Sequence, residues 1–171
     1  MFDSGDFVIY GNEGVCEVAG VSEMSINNKC ARYYELIPKY RKNTSVLVPV
    51  DNEKLTAKML PILSKEDVIK LIGEIPDVEC EWIENENLRK ERYKQMLVSK
   101  DRRELVSIIK TIDAHREECE KKGRKLHACD ERIFAEAKEK LHNEVAAVLG
   151  LTPEQARGYI LDSLKKAEDN A

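Results

Sequence analysis

Aromatic residues make up only 6% of this 171-residue chain, and tryptophan occurs once, at Trp82. Nothing approaches the run of about 20 apolar residues that a membrane-spanning helix needs. The opening Met1-Phe2-Asp3-Ser4-Gly5-Asp6 lacks the basic-then-apolar layout of a secretion signal. Cysteine pairs at C-x-x-C spacing are missing. The five cysteines (Cys16, Cys30, Cys80, Cys119, Cys129) are odd in number and scattered, which argues against a disulfide framework and for a reducing, cytoplasmic setting. There is no Gly-rich phosphate loop, no G-x-S-x-G and no H-E-x-x-H, so no enzyme is expected, and no small-molecule substrate.

Proline is scarce where helices are expected. Four of the five prolines fall before Trp82, and only Pro153 follows it. The first half reads as short strands. Phe7-Val8-Ile9-Tyr10 precedes a turn at Gly11–Gly14, and Val15–Val18 alternates. Ser25–Lys29 makes a polar tip, Arg32–Ile37 is a strand ended by Pro38, and Thr44–Val50 is another. Turn signals about every ten residues point to a small antiparallel sheet or barrel. Pro49 fits an edge strand or a last paired residue. Such an edge either receives a partner's strand or is covered from within the chain.

Ser64 caps a short helix bearing Val68, Ile69, Leu71 and Ile72, which Gly73 and Pro76 stop. The domain boundary is placed there, giving a β-rich domain over 1–75 and a helical domain over 76–171. Four helices are expected in the second. One lies within 79–98, and one starts near Asp101 with Leu105, Ile108, Ile109 and Ile112 on its apolar face. A third runs from about Asp130 to Leu149 with Phe134, Ala137, Leu141, Val145 and Val148. The last is opened by the capping box Thr152-Pro153-Glu154-Gln155. The fold class is α+β: a small antiparallel β-barrel-like domain, then an all-α bundle.

Net charge is −4, but it is unevenly spread. Residues 88–125 carry 13 Lys/Arg against 7 Asp/Glu, while residues 76–87 hold five acidic residues and no basic one. Such a basic segment is either a solvated, salt-bridged surface or a face that meets phosphates. Arg89, Lys90, Arg92, Lys94, Arg124 and Lys125 are the candidate contacts. Trp82 has two readings. At helical spacing it shares a stripe with Arg89, Tyr93 and Met96, as a core residue. If Asn85 or Asn87 caps a helix that starts later, Trp82 is left as an apolar wedge beside a basic surface, the layout of a minor-groove contact. His115, Cys119, His127 and Cys129 offer four metal-ligand types, but at no recognised zinc spacing. His115 and Cys119 also suit a helix core, so no metal or cofactor is expected.

Gly5-Asp6-Phe7-Val8-Ile9-Tyr10-Gly11-Asn12-Glu13-Gly14-Val15 resembles the opening of the CarD-like bacterial transcription regulators. Tyr33-Tyr34-Glu35-Leu36, Val46–Asn52, Leu97–Asp101 and Gly123–His127 follow in the family's order. The resemblance implies a Tudor-like N-terminal domain that binds the β subunit of RNA polymerase. It also implies a helical domain that contacts promoter DNA at the upstream edge of the bubble and stabilises the open complex. By position, Trp82 would be the wedge, with Arg89 and Lys90 as phosphate contacts. Met24 and the strand Ser45, Val46, Leu47, Val48 and Pro49 would lie at the polymerase interface. Glu86 stands where the family's tryptophan aligns, one helical turn after Trp82.

Overall fold

The computed structural model describes residues 1–170. The chain forms two compact units, Met1–Leu63 and a second from Ser64 onward. The division thus falls before the short helix, not after it at 75/76. That helix packs within the second unit, against the last two helices of the chain.

The first unit is a five-stranded antiparallel sheet: β1 (Phe7–Tyr10), β2 (Gly14–Ile26), β3 (Lys29–Pro38), β4 (Val46–Pro49) and β5 (Met59–Pro61), in the order β4-β3-β2-β1-β5. β4 and β5 are the two edges and do not pair with each other, so the sheet is open and the barrel-like expectation is corrected. β4 has four residues and β5 three, too little ladder to close a barrel. The β2–β3 hairpin turns at Asn27 and Asn28, both at positive φ (54° and 60°), as a two-residue turn matched to strand twist requires. A bulge between Val18 and Gly20 shifts the register. Alternation places Val8, Cys16, Val18, Tyr34, Leu36, Val48 and Met59 in one buried cluster. Pro49 is the last paired residue of an edge strand, opposite Tyr33. Asn52 then caps a one-turn helix, α1 (Glu53–Thr56), accepting from Leu55 N at 3.2 Å.

The second unit holds α2 (Lys65–Glu74), α3 (Glu86–Leu97), α4 (Arg103–Lys121), α5 (Ala128–Leu149) and α6 (Pro153–Asp169). The starts follow local chemistry. Ser64 Oγ accepts from Asp67 N, and Thr152 and Gln155 close their capping box. Gly123 and Gly150 stop α4 and α5 at φ 67° and 68°, where a Cβ would be strained. Tyr93, Met96, Leu97, Leu105, Ile108, Ile112, Leu126, Ile133, Phe134 and Ala137 form the core. On α5, burial beside Lys138 and Arg157 holds the His142 imidazole below its ordinary 6.5. Folding therefore disfavours its protonation. Its contribution is fully present above pH 6.5 and is lost as pH falls through the depressed folded value. In urea titrations at descending pH, His142→Gln should show a shallower loss of stability below pH 6.5 than wild type.

Candidate functional site

Trp82 does not lie on a helix. Asn85 caps α3, its Oδ1 accepting from Asn87 N and Leu88 N at 3.1 Å each, so the helix starts at Glu86, four residues after the indole. The expected stripe through 82, 89, 93 and 96 therefore begins only at Arg89. The segment before α3 is irregular, yet its backbone is held at several points. Lys110 Nζ on α4 donates to the carbonyls of Ile75, Pro76 and Val78 at 2.8–3.0 Å. Ser107 Oγ donates to Glu79 O at 2.9 Å. Arg89 Nη1 reaches Ile83 O at 2.8 Å and Glu84 O at 3.4 Å. The acidic junction is thus strapped along α4 and α3 by side-chain donors that satisfy carbonyls with no ladder partner.

The indole itself is sandwiched. His115 of α4 stacks on it, centroids 3.5 Å apart and planes 11° from parallel. The Arg89 guanidinium carbon lies over the ring at 4.3 Å. Two groups this close cannot share one face, so both faces are covered. Trp82 is partly buried and packs against the helical core. With both faces covered, its rim is what remains to solvent, and its packing against the core goes part of the way to the core reading.

Arg89, expected to meet phosphates, is 3% exposed and pairs with Asp130 of α5, which is 1% exposed. Nε and Nη2 reach the two carboxylate oxygens at 3.0 and 2.8 Å. That bond, with burial opposing it, raises the guanidinium's already high pKa. Burial, with Asp130 nearby, pushes the Tyr93 phenol up to about 12, and its buried hydroxyl has no hydrogen-bond partner among the described residues. The burial of Arg89 corrects its assignment as a phosphate contact. A second buried pair, Arg102–Glu144, ties the start of α4 to α5 at 2.8 and 3.0 Å.

The other expected cations divide by their partners. Lys90 bonds Glu86 one turn before it. Arg92 bonds Glu104 at 3.1 Å. Lys94, Arg124 and Lys125 are exposed and in no ion pair among the described residues. Arg124 and Lys125 share the α4–α5 turn with Lys121 and Lys122, which are exposed and equally unpaired among those residues. This turn lies at the Trp82 end of the unit. Arg124 N donates to Cys119 O at 2.8 Å, and Cys119 Sγ is 3.5 Å from His115 Nε2, whose ring carries the indole. The structure therefore brings Trp82, Lys90 and the basic turn into one neighbourhood. It leaves Lys94 further along α3. His115 and Cys119 meet, but among the described residues no three His, Cys, Asp or Glu groups gather to hold a metal.

In the sheet unit, Leu47 pairs with Glu35 and Pro49 with Tyr33, on the face opposite the core, while Val46 and Val48 turn toward it. Val48, at 0% exposure, has its side chain in the core and its backbone groups turned to β3, so it offers an edge partner neither. Ser45 is exposed just before β4. Met24, on β2 opposite Ala31, is half-buried.

Sequence reasoning missed Asp130, Glu144, Lys110 and Ser107. The two acids had a readable signal. Asp130 lies one turn before Phe134, and Glu144 seven residues after Ala137, both on the apolar stripe of α5, where a charge demands a partner. Lys110 and Ser107 had none, because their acceptors are loop carbonyls some 30 residues away.

No helix among the described residues is long and apolar enough to cross a membrane. No curated protein matches the sequence. Residues 2–62, which span the whole sheet unit, match the CarD-like/TRCF RID domain, a protein-interaction family and not an enzyme family. That N-terminal match supports a CarD-like RNA polymerase-interacting protein.

Proposed function

We propose that this protein regulates transcription initiation by holding RNA polymerase and promoter DNA at once. The RID domain match over residues 2–62 carries the reading. The β4 edge pairs with an extended strand of the polymerase β subunit. The helical unit approaches the upstream edge of the bubble with the Trp82 rim, Lys90 and the Lys121–Lys125 turn. With both faces covered, Trp82 lines the minor groove by its rim and does not insert a face between bases. Two anchors raise the effective concentration of each, which lets an acidic protein work on DNA. The open complex is favoured by as much as the protein binds it better than the closed one.

The test is open-complex lifetime and its salt dependence with polymerase and the full chain. Reversing Lys121, Lys122, Arg124 and Lys125 to Glu should shorten the lifetime. It should also flatten the log–log salt slope by about 0.9 for each phosphate that is no longer neutralised. Retained polymerase binding with an unchanged lifetime and slope would instead make the protein an adaptor that does not touch DNA.

A further inference from the structure

We propose that Arg89, fixed by Asp130, and His115 are positioning residues that set the orientation of Trp82 before DNA arrives. This rests on the reading that the Trp82 rim meets DNA. The structural observation is a chain of contacts through three helices. Asp130 on α5 fixes the Arg89 guanidinium through two hydrogen bonds, at 3.0 and 2.8 Å. The same guanidinium grips the loop backbone at Ile83 and Glu84 and covers one indole face at 4.3 Å. His115 on α4 covers the other face at 3.5 Å and is itself steadied by Cys119 Sγ.

A tryptophan on an irregular segment would ordinarily sample several rotamers and lose that freedom on binding. Here Arg89 fixes both the ring and the backbone that carries it, so the indole is set before any ligand arrives. Stacking and cation–π contacts each favour this one orientation. Their geometry also explains why a buried arginine occupies this site. A lysine in its place would lack the planar fork that bonds Asp130 twice while lying flat on a ring.

Because Trp82 is the only tryptophan, its emission and its acrylamide quenching report on this site directly. The experiment compares full-length wild type, Trp82→Ala, His115→Ala and His115→Phe, with circular dichroism and polymerase binding as checks on folding. If His115→Ala melts early, His115→Leu, which keeps bulk without a flat polar ring, replaces it. Removing the stack should raise acrylamide quenching of Trp82. It should shorten open-complex lifetime about fivefold, the scale of one aromatic contact. His115→Phe, which restores a flat ring, should recover both. A lifetime that stays at the wild-type value despite raised quenching in His115→Ala overturns the positioning role alone, provided Trp82→Ala shortens it. Unchanged quenching in His115→Ala overturns it as well. A wild-type lifetime in Trp82→Ala sinks the DNA reading of Trp82, and positioning for DNA goes with it.

Discussion

Asp130→Ala should destabilise the helical unit by about 3–5 kcal/mol, because it strands a buried guanidinium among apolar neighbours. Arg89 is 3% exposed and directs Nε and Nη2 at this one carboxylate. Without it, Nε and Nη2 keep no other acceptor among the described residues. The loss is not a measure of what the pair contributes. Two charges were taken out of water to make it, and their attraction offsets that cost only through the two well-formed hydrogen bonds. The double variant Arg89→Met/Asp130→Leu should therefore be much less destabilised than Asp130→Ala alone, since neither charge remains. Urea unfolding of the full chain, followed at the helix signal and by Trp82 emission, measures both. A single-variant loss below about 1 kcal/mol would show that the guanidinium finds water or another acceptor. The double variant also separates stability from function. It should keep the fold and still free the indole, because Met cannot hold the Ile83 and Glu84 carbonyls.

The parts of this fold that local chemistry determines were legible in the sequence. Capping at Ser64 and Thr152, the stops at Gly123 and Gly150 and the edge position of Pro49 each depend on residues within a few positions. Gly73 and Pro76 do end a helix, and a helix end resembles a linker, which is why the sequence puts the boundary there while the compact units divide at 63/64. What makes 75–84 part of the helical unit is Lys110 and Ser107, whose bonds span 28 to 35 residues. Trp82 was ambiguous for the same reason. Its neighbours in sequence are acidic and polar, but its neighbours in space are His115 and Arg89. Arg89 was assigned to the basic surface by composition. Its burial follows from Asp130, 41 residues away, which no local window pairs with it.

Leu47→Pro should weaken polymerase binding at least about tenfold while leaving the sheet folded, the loss expected from one amide hydrogen bond plus the steric block of the ring. Strand parity decides which amides of β4 are free. Val50 N donates inward to Arg32 O at 2.9 Å. Backbone groups alternate along an antiparallel strand, so Val48 and Val46 also face β3, and Leu47 and Pro49 turn theirs outward. Pro49 has no N–H, which leaves Leu47 as the one outward donor of β4. A proline at 47 removes that donor without touching the β3 ladder, and edge strands tolerate proline on their open side. The Leu47 side chain lies across from Glu35, away from the buried cluster, so folding loses little. Leu47→Ala separates backbone from side chain. If the partner pairs as a strand, alanine should cost much less than proline, because the amide survives. Equal losses would place the contact in the side chain. Wild-type binding by a folded Leu47→Pro variant would exclude strand addition at this edge.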